Sequence, residues 1–340
     1  MKKLHSFCLI VMTAGTLLAS TATSADEVGE YYAGKTITLI GSAGAAGSYG
    51  FWGRLVAEHL GRFIPGAPSL IFQAMPGAGG AKAANYLYNA APQDGSVIGL
   101  LLKYVAVEQA IGRSNVRYDV RRFNWLISTG PINSVVAMWH TAPATTIEGL
   151  QKIPTVMGST GKSSETYITP VLMNALLGTK FKVITGYPGT GEIHVAMENG
   201  EIHGRAAAWE GIRGGLPSWI EEKRVVLIAQ SGLHKNFDLP DVPRLIDLAT
   251  TDEARRIFEL IGSGSTLGRV FIAPPEVPQP RVEALRVAFE AMVKDADFIA
   301  GVKKRKLDFE PRLKAEVEEL VMKTINAPAN IVEKTRQLIE

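Results

Sequence analysis

The chain has 340 residues, of which 46% are hydrophobic and 20% charged, with 36 basic and 33 acidic side chains. A chain this close to neutral, with no basic block, gives no support for nucleic-acid binding. Its single cysteine, Cys8, lies in the first apolar segment. Disulfides, cysteine nucleophiles and cysteine-ligated metals are therefore excluded from the rest of the chain.

The first segment has the pattern of an export signal. Lys2 and Lys3 precede an apolar run over residues 7–18, and small residues follow up to Ala25. The run is shorter than the ~20 apolar residues that a membrane-spanning helix needs. We therefore expect residues 1–25 to be a signal peptide and the exported chain to begin near Asp26; the alternative is an uncleaved anchor. The remainder is longer than one core usually serves and predicts two domains or lobes.

Strand and helix patterns alternate along the rest of the chain. Apolar runs predict strands at 36–40, 69–74, 97–102, 125–128, 135–140, 155–158, 182–184, 202–207, 225–229 and 270–273. Amphipathic patterns predict helices at 52–63, 81–90, 146–152, 167–177, 191–199, 251–260, 281–294 and 315–323. This alternation predicts an α/β fold with open sheets and helices on both faces, in which ligands bind beyond the carboxyl ends of the strands.

Two loops rich in glycine and hydroxyl side chains each lie between a predicted strand and a predicted helix. The first loop covers residues 41–50 and the second loop residues 158–164. The first has the spacing G-x-x-G-x-x-G, not the dinucleotide fingerprint, and no acid ends a second strand about 20 residues further on. The second ends like a phosphate-binding P-loop, but Val156 stands where that motif needs its first glycine. Backbone N–H groups at a helix N-terminus also suit a carboxylate, which is our interpretation of both loops.

Signatures of enzymes and metal sites are missing. No serine has glycine two residues before and after it, and no H-E-x-x-H occurs. The repeated Gly-Glu-Ile-His at 191–194 and 200–203 lacks a spacing that ligand pairs on a helix use. We expect no catalytic residue, metal or cofactor, although an exported enzyme that uses the same cleft remains the alternative.

Further landmarks extend over most of the chain. They comprise Tyr-Ala-Gly-Lys-Thr-Ile-Thr-Leu-Ile at 32–40, residues 47–54, Met-Pro-Gly-Ala-Gly-Gly at 75–80, Ala-Pro-Gln-Asp-Gly-Ser-Val-Ile-Gly at 91–99, the second loop, Gly-Tyr-Pro-Gly at 186–189, Leu-Pro-Asp-Val-Pro at 239–243 and Phe-Ile-Ala-Pro-Pro at 271–275. In this order and spacing, the chain resembles the Bug family, the periplasmic solute receptors of tripartite tricarboxylate transporters (TctC-like).

The resemblance implies a two-lobed periplasmic-binding-protein fold of type II with a ligand cleft between the lobes. We expect residues 26–141 and 250–340 to form the first lobe and residues 142–249 the second. The resemblance also implies a periplasmic receptor that captures a small carboxylate and delivers it to a large and a small membrane subunit. A monomer is the default expectation for a receptor that must hinge freely, and whether the acid is aromatic or dicarboxylic depends on the departures described below. A receptor that feeds a membrane sensor kinase is the alternative.

The candidate ligand-binding residues follow from the resemblance, position by position. The first loop supplies Ala45, Gly47, Ser48, Tyr49 and Gly50; the second loop supplies Ser159, Thr160, Gly161, Ser163 and Ser164; the cleft wall adds Tyr187, Pro188, Trp209 and Glu210.

Three departures from the family pattern bear on the ligand. Gly50, followed by Phe51, replaces the usual aspartate, while Lys103-Tyr104 and Lys162 replace small or hydroxyl residues. We hypothesise that one lysine neutralises a second carboxylate and that a ring stacks on Tyr49, Tyr104, Phe51 or Trp209. The alternative is that both lysines point to solvent and Phe51 belongs to the buried face of a helix.

Overall fold

The computed structural model describes residues 19–340, with only the backbone given for 19–25. The predicted signal peptide, residues 1–25, lies mostly outside the described residues. No helix in the described part is both long enough and apolar enough to cross a membrane.

A first sheet of six strands forms one half of the described chain. From one edge to the other its order is β11-β4-β10-β3-β1-β2. β1 is parallel to β2 and β3, whereas β10 is antiparallel to β3 and β4. Every residue of β3 is buried, as expected for a strand with helices on both faces. The strands are β1 Thr36–Gly41, β2 Ser69–Ala74, β3 Val97–Leu101, β4 Asn124–Ser128, β10 Val270–Ala273 and β11 Arg312–Leu313.

A second sheet of five strands, in the order β7-β6-β8-β5-β9, forms the other half of the described residues. β6 is parallel to β7 and β8, and β5 is antiparallel to β8 and β9. Each sheet has three parallel strands followed by an antiparallel strand that is separated from its parallel neighbour in the chain order. This strand is β10, beside β3, in the first sheet and β5, beside β8, in the second sheet. The strands are β5 Ser134–Trp139, β6 Thr155–Ser159, β7 Phe181–Thr185, β8 Gly204–Ala208 and β9 Val225–Gln230.

The helices cover both faces of the two sheets. They are α1 Ala19–Tyr32, α2 Ser48–His59, α3 Ala81–Asn89, α4 Val105–Ala110, α5 Ile147–Lys152, α6 Glu165–Leu177, α7 Thr190–Glu198, α8 Trp209–Gly215, α9 Pro217–Glu221, α10 Leu245–Leu248, α11 Asp252–Leu267, α12 Gln279–Met292, α13 Ala296–Lys304, α14 Lys314–Ile325 and α15 Ala329–Ile339. One core cluster on the first sheet is rich in aromatic residues, with Trp52, Phe271, Phe289 and Phe298. Another joins the second sheet to α6 and α11.

The chain crosses between the sheets on either side of β5–β9. β4 ends at Ser128 in the first sheet and β5 begins at Ser134 in the second. The sequence-based boundary assigned residues up to 141 to the first lobe, but the backbone pairing of β5 with β8 and β9 places this strand in the second sheet. The chain returns through α11 to β10. The α/β class with two open sheets, predicted from the sequence, is confirmed.

Candidate functional site

A cavity of about 420 Å³, called the cleft below, lies between the two sheets. Its walls are the segments that follow the carboxyl ends of β1, β2, β3, β6, β7 and β8. The N-termini of α2, α6 and α7 lie along it as well. The cleft is therefore at the position where open α/β sheets bind ligands.

The first loop is held by hydrogen bonds to β3 and to α2. Ser42 Oγ donates to the carbonyl of Leu100 at 3.0 Å, and Arg54 Nη1 donates to the carbonyl of Ala45 at 2.8 Å. α2 begins at Ser48, earlier than the predicted helix, because the N–H of Phe51 already bonds the carbonyl of Gly47 at 3.0 Å. The first turn of α2 thus presents Ser48 and Tyr49 to the cleft.

Gly50 is a glycine for steric reasons. A Cβ at this position would lie 1.8 Å from the carbonyl oxygen of Ala45. The close approach of the loop to α2 leaves no room for the aspartate that the family resemblance predicts here. Gly50 therefore shapes the loop from beneath and does not line the cleft.

Tyr49 connects the first loop to the segment after β3. Its hydroxyl accepts a hydrogen bond from the backbone N–H of Lys103 at 3.0 Å, and the guanidinium carbon of Arg269 lies 5.0 Å from the ring centroid. Burial raises the pKa of Tyr49, so its hydroxyl stays neutral. The ring has a fixed position in the cleft wall.

Lys103 is buried in the cleft wall and engaged by protein groups. Its Nζ lies 2.7 Å from Glu165 Oε1, 2.8 Å from Ser134 Oγ and 3.1 Å from Ser265 Oγ. Ser134 Oγ also donates to Glu165 Oε2 at 2.9 Å. Burial lowers the pKa of Lys103, an effect that the Glu165 carboxylate opposes. The Lys103 charge is thus matched by an acid of the protein, at a contact that joins the two lobes.

A second buried cation, Arg205, lines the cleft from β8. Nη1 donates to the carbonyl of Thr190 at 3.2 Å and lies 2.6 Å from Nε2 of His194, while Nε donates to the carbonyl of Ala206 at 3.2 Å. Burial lowers the pKa of Arg205 to about 10, so it keeps its charge at neutral pH. Burial, reinforced by Arg205, lowers the pKa of His194 to about 3. His194 is therefore a neutral acceptor that orients the guanidinium.

Hydroxyl groups organise the second loop around Thr166. Its Oγ1 accepts from the N–H of Thr160 at 3.0 Å and donates to Ser159 Oγ at 3.0 Å, and it contacts Ser164 Oγ. Ser163 of the second loop packs directly against Gly79 of the first lobe. Gly79 has φ +62°, and a Cβ at this position would lie 2.3 Å from the Cβ of Ser163. The two lobes are thus in direct contact beside the cleft.

A second buried ion pair, between Glu210 and Arg269, lies near the cleft. Glu210, in the first turn of α8, contacts Arg269 before β10, and its Oε2 accepts from the N–H of Asp308 at 3.0 Å. Arg269 Nη2 also donates to Ser48 Oγ at 2.9 Å. Burial raises the pKa of Glu210, against the attraction of Arg269. The pair joins the second lobe to the first.

Ten of the eighteen ligand-binding residues predicted from the sequence line the cleft. Those lining the cleft are Gly47, Ser48, Tyr49, Lys103, Tyr104, Thr160, Ser163, Ser164, Tyr187 and Pro188. Those not lining it are Ala45, Gly50, Phe51, Ser159, Gly161, Lys162, Trp209 and Glu210.

The residues outside the cleft have other contacts. Lys162 Nζ lies 3.3 Å from the backbone carbonyl of Glu340, away from the cleft. Phe51 packs beneath the guanidinium of Arg54, and the indole N–H of Trp209 donates to Asp238 at 3.2 Å. Stacking of a ligand ring on Phe51 or Trp209, and neutralisation by Lys162, are therefore not supported by the geometry.

Sequence reasoning missed the charged residues Glu165 and Arg205 and the neutral His194, together with Thr166, Thr190 and Ile132. Arg205 carries the clearest signal, because it interrupts the small-residue run Gly-Arg-Ala-Ala-Ala of a buried strand. A charged residue at such a position is rarely buried without a partner. Among the described residues, no group of three or more His, Cys, Asp or Glu side chains is placed to hold a metal ion.

Solved structures of periplasmic binding proteins share this fold. The chain is similar to the periplasmic binding protein BugD, at TM-score 0.68 and 17% identity over 89% of this chain and 97% of that one. It is similar to Rpa4515 of R. palustris with adipate, at TM-score 0.70 and 18% identity over 89% and 97% of the two chains. It is also similar to MatC (Rpa3494) from Rhodopseudomonas palustris with bound malate, at TM-score 0.66 and 17% identity over 90% and 99%. Neither the family models nor the curated protein sequences gave a match.

These similarities establish the class of the fold. The described chain has the two-lobed, type II periplasmic-binding-protein fold that the sequence predicted, with its cleft between the two sheets.

Proposed function

We propose that the protein is a periplasmic receptor of the Bug/TctC type that captures a small carboxylate between its lobes. The observation that carries the proposal is Arg205, a charged guanidinium that is 4% exposed and lines the cleft. A buried cation is costly unless an anion accompanies it, so the cleft is suited to an anionic solute. Two solved structures with the same fold hold adipate and malate, which supports a carboxylate.

The remaining parts of the proposal rest on the family resemblance. If sheet membership defines the lobes, the first lobe consists of residues 26–128 and 270–340 and the second lobe of residues 134–230. The crossing segments join the two lobes. The first segment would export the chain to the periplasm, and closure of the lobes would present a surface to a large and a small membrane subunit. The receptor would act as a monomer.

Binding without chemistry is favoured over catalysis by the state of the titratable groups. The Lys103 amine is paired with Glu165, and His194 Nε2 already accepts from Arg205. Neither side chain is poised as a base for a nucleophile, which general acid–base catalysis requires. A receptor that feeds a membrane sensor kinase would use the same cleft.

A thermal-shift screen of carboxylates with native mass spectrometry tests the proposal. A ligand at a hundred times its Kd adds about 2.7 kcal/mol to the free energy of unfolding, which raises the Tm by several degrees. We expect a selective rise and the mass of an intact acid. The absence of a shift with every carboxylate, or recovery of an altered ligand, would contradict a receptor. Loss of solute uptake on deletion of the gene distinguishes a transporter from a sensor.

A further inference from the structure

The charges along the cleft sum to a single positive charge among the described residues. The side chains that carry them are Lys103, Glu165 and Arg205, since His194 is neutral and burial keeps Tyr49 and Tyr104 protonated. Lys103 and Glu165 form an ion pair at 2.7 Å. Arg205 forms no ion pair in the part of the chain that the structure describes. One carboxylate would therefore balance the cleft, and a second would be in excess.

Arg205 has a donor left for a ligand. Nε and Nη1 are taken up by the carbonyls of Ala206 and Thr190 and by His194, whereas Nη2 bonds no described residue. The contacts on the other two nitrogens fix the plane of the guanidinium. The free Nη2 carries N–H groups that can donate charge-assisted hydrogen bonds to a carboxylate.

Glu165 presents the opposite charge to the same cavity. Its side chain is 15% exposed although it pairs with Lys103, and it lines the cleft. A second carboxylate near Glu165 would meet a like charge in a partly dehydrated site, where screening by water is weak. The Lys103–Glu165 pair thus removes a cation that a dicarboxylate would use and adds a repulsive group.

Apart from the hydroxyl groups of the two loops, the remaining walls are largely apolar or aromatic. They include Leu102, Tyr104, Ile132, Pro188 and Ile212, besides Tyr49 and Tyr187. The volume of about 420 Å³ lies in the lower part of the range of ligand pockets. Such walls favour an apolar body on the ligand, because burying it removes apolar surface from water.

We infer that the ligand is a monocarboxylate with an apolar or aromatic body, held at its carboxylate by Arg205 and kept from carrying a second carboxylate by Glu165. This inference rests on the proposed receptor function and narrows its ligand class. It differs from the adipate and malate of the two similar structures, which are dicarboxylates.

Matched acids test the inference by isothermal titration calorimetry. Hexanoate and adipate share a six-carbon chain, and benzoate and benzene-1,4-dicarboxylate share a ring. We expect at least one monocarboxylate to bind at least tenfold more tightly than its dicarboxylate partner. Tighter binding of both dicarboxylates overturns the inference but leaves the receptor function standing. Failure of all four acids and of the wider carboxylate screen overturns both.

Two variants assign the selectivity to residues. Glu165→Gln removes the repulsion and frees the Lys103 charge, so we expect it to improve binding of the dicarboxylate at least tenfold relative to its monocarboxylate partner. Arg205→Met should weaken binding of the monocarboxylate at least a hundredfold. Lys162→Ala, outside the cleft, is the control and should change neither affinity. An unchanged preference in Glu165→Gln contradicts the inference even if Arg205→Met does not fold.

Discussion

Gly50 shows how one residue sets the shape of the binding loop. It lies in the first turn of α2, directly beneath the carbonyl of Ala45. Inside a helix, alanine stabilises the helical conformation by up to about 1 kcal/mol relative to glycine. The clash between a Cβ at position 50 and the oxygen of Ala45, at 1.8 Å, destabilises the fold by more than this gain, because a backbone oxygen cannot rotate away. Overpacking of this kind costs about 1–3 kcal/mol.

We therefore expect Gly50→Ala to lower the free energy of unfolding by about 1–2 kcal/mol, with the clash outweighing the gain in helix propensity. The same shift would displace Ser48 and Tyr49 and weaken carboxylate binding. Urea denaturation and calorimetry measure the two effects. Gly44→Ala is the matched control for stability, since a Cβ there meets nothing within 4 Å. Equal stability of the two variants would show that the loop moves freely.

Glu108 is a buried acid whose titration affects stability. Neither carboxylate oxygen accepts a hydrogen bond from the described residues, and Arg113 Nε lies 3.7 Å away. Burial raises the pKa of Glu108 to about 7, with Arg113 acting in the opposite direction. Because the pKa is higher in the folded chain than in the unfolded one, the folded state is favoured at low pH. That contribution is lost as the pH rises from about 4.5 to about 7.

The variant Glu108→Gln removes this dependence. We expect its stability relative to the wild type to rise by about 2.5 kcal/mol between pH 5 and pH 8. Denaturant unfolding at the two pH values gives the difference. Glu259→Gln, on the exposed face of α11, serves as the control. A difference that does not change with pH would mean that Glu108 is charged throughout this range.

The loop residues of the site were predictable, whereas the partners of its charged groups were not. Gly47, Ser48, Thr160 and Ser163 follow from two glycine- and hydroxyl-rich loops between a strand and a helix. The pairing of Lys103 with Glu165 depends on residues 62 positions apart that only the contact between lobes brings together. Sequence alone therefore singled out Lys103, with Lys162, as a possible partner of a ligand carboxylate, but did not identify Glu165 as its partner.

At the scale of elements, α11 connects the second sheet to β10 and begins with a defined cap. Thr251 Oγ1 accepts from the N–H of Ala254 at 3.1 Å. Loss of such a cap costs about 1 kcal/mol. We expect Thr251→Ala to reduce stability by that amount in thermal unfolding, and the exposed neighbour Thr250→Ala to have no effect beyond about 0.5 kcal/mol. Equal losses at the two positions would argue against a role of the cap.

Most elements with clear periodicity were predicted, and most short elements that depend on packing were missed. All ten predicted strands are present, because apolar runs bounded by glycine, proline and polar residues mark them well. β11 has two residues and exists through its pairing with β4. α8 and α9 are short and interrupted by glycine and proline, so their helical form depends on packing. α15 was overlooked although Ile331, Thr335 and Ile339 repeat every four residues on its buried side.

At the scale of the molecule, the Glu210–Arg269 pair holds the lobes together. Both side chains are almost fully buried, with exposures of 1% and 0%. Removal of one partner of a buried pair costs about 3–5 kcal/mol, because the other charge stays unpaired. Glu210→Gln is therefore expected to lower the Tm and to open the cleft, which increases the radius of gyration in small-angle scattering.

Two further variants make this test specific. The double variant Glu210→Gln, Arg269→Met removes both charges and should recover part of the loss. Glu222→Gln breaks the exposed pair with Arg224 and should cost less than about 1 kcal/mol. If the single and double variants are equally unstable, the charge of Arg269 is not the cause.

The position of β10 has a consequence for the order in which the chain folds. β10 lies between β3 and β4, and more than 140 residues separate it from β4 along the chain. During synthesis, which proceeds from the N-terminus, β10 is absent from its place between β3 and β4 until Ala273 has been added. All strands of the second sheet, by contrast, have been synthesised once Gln230 has been added. Pairing over such a separation is slow. The first sheet therefore remains incomplete until about four fifths of the chain has been synthesised, whereas the second sheet can form earlier.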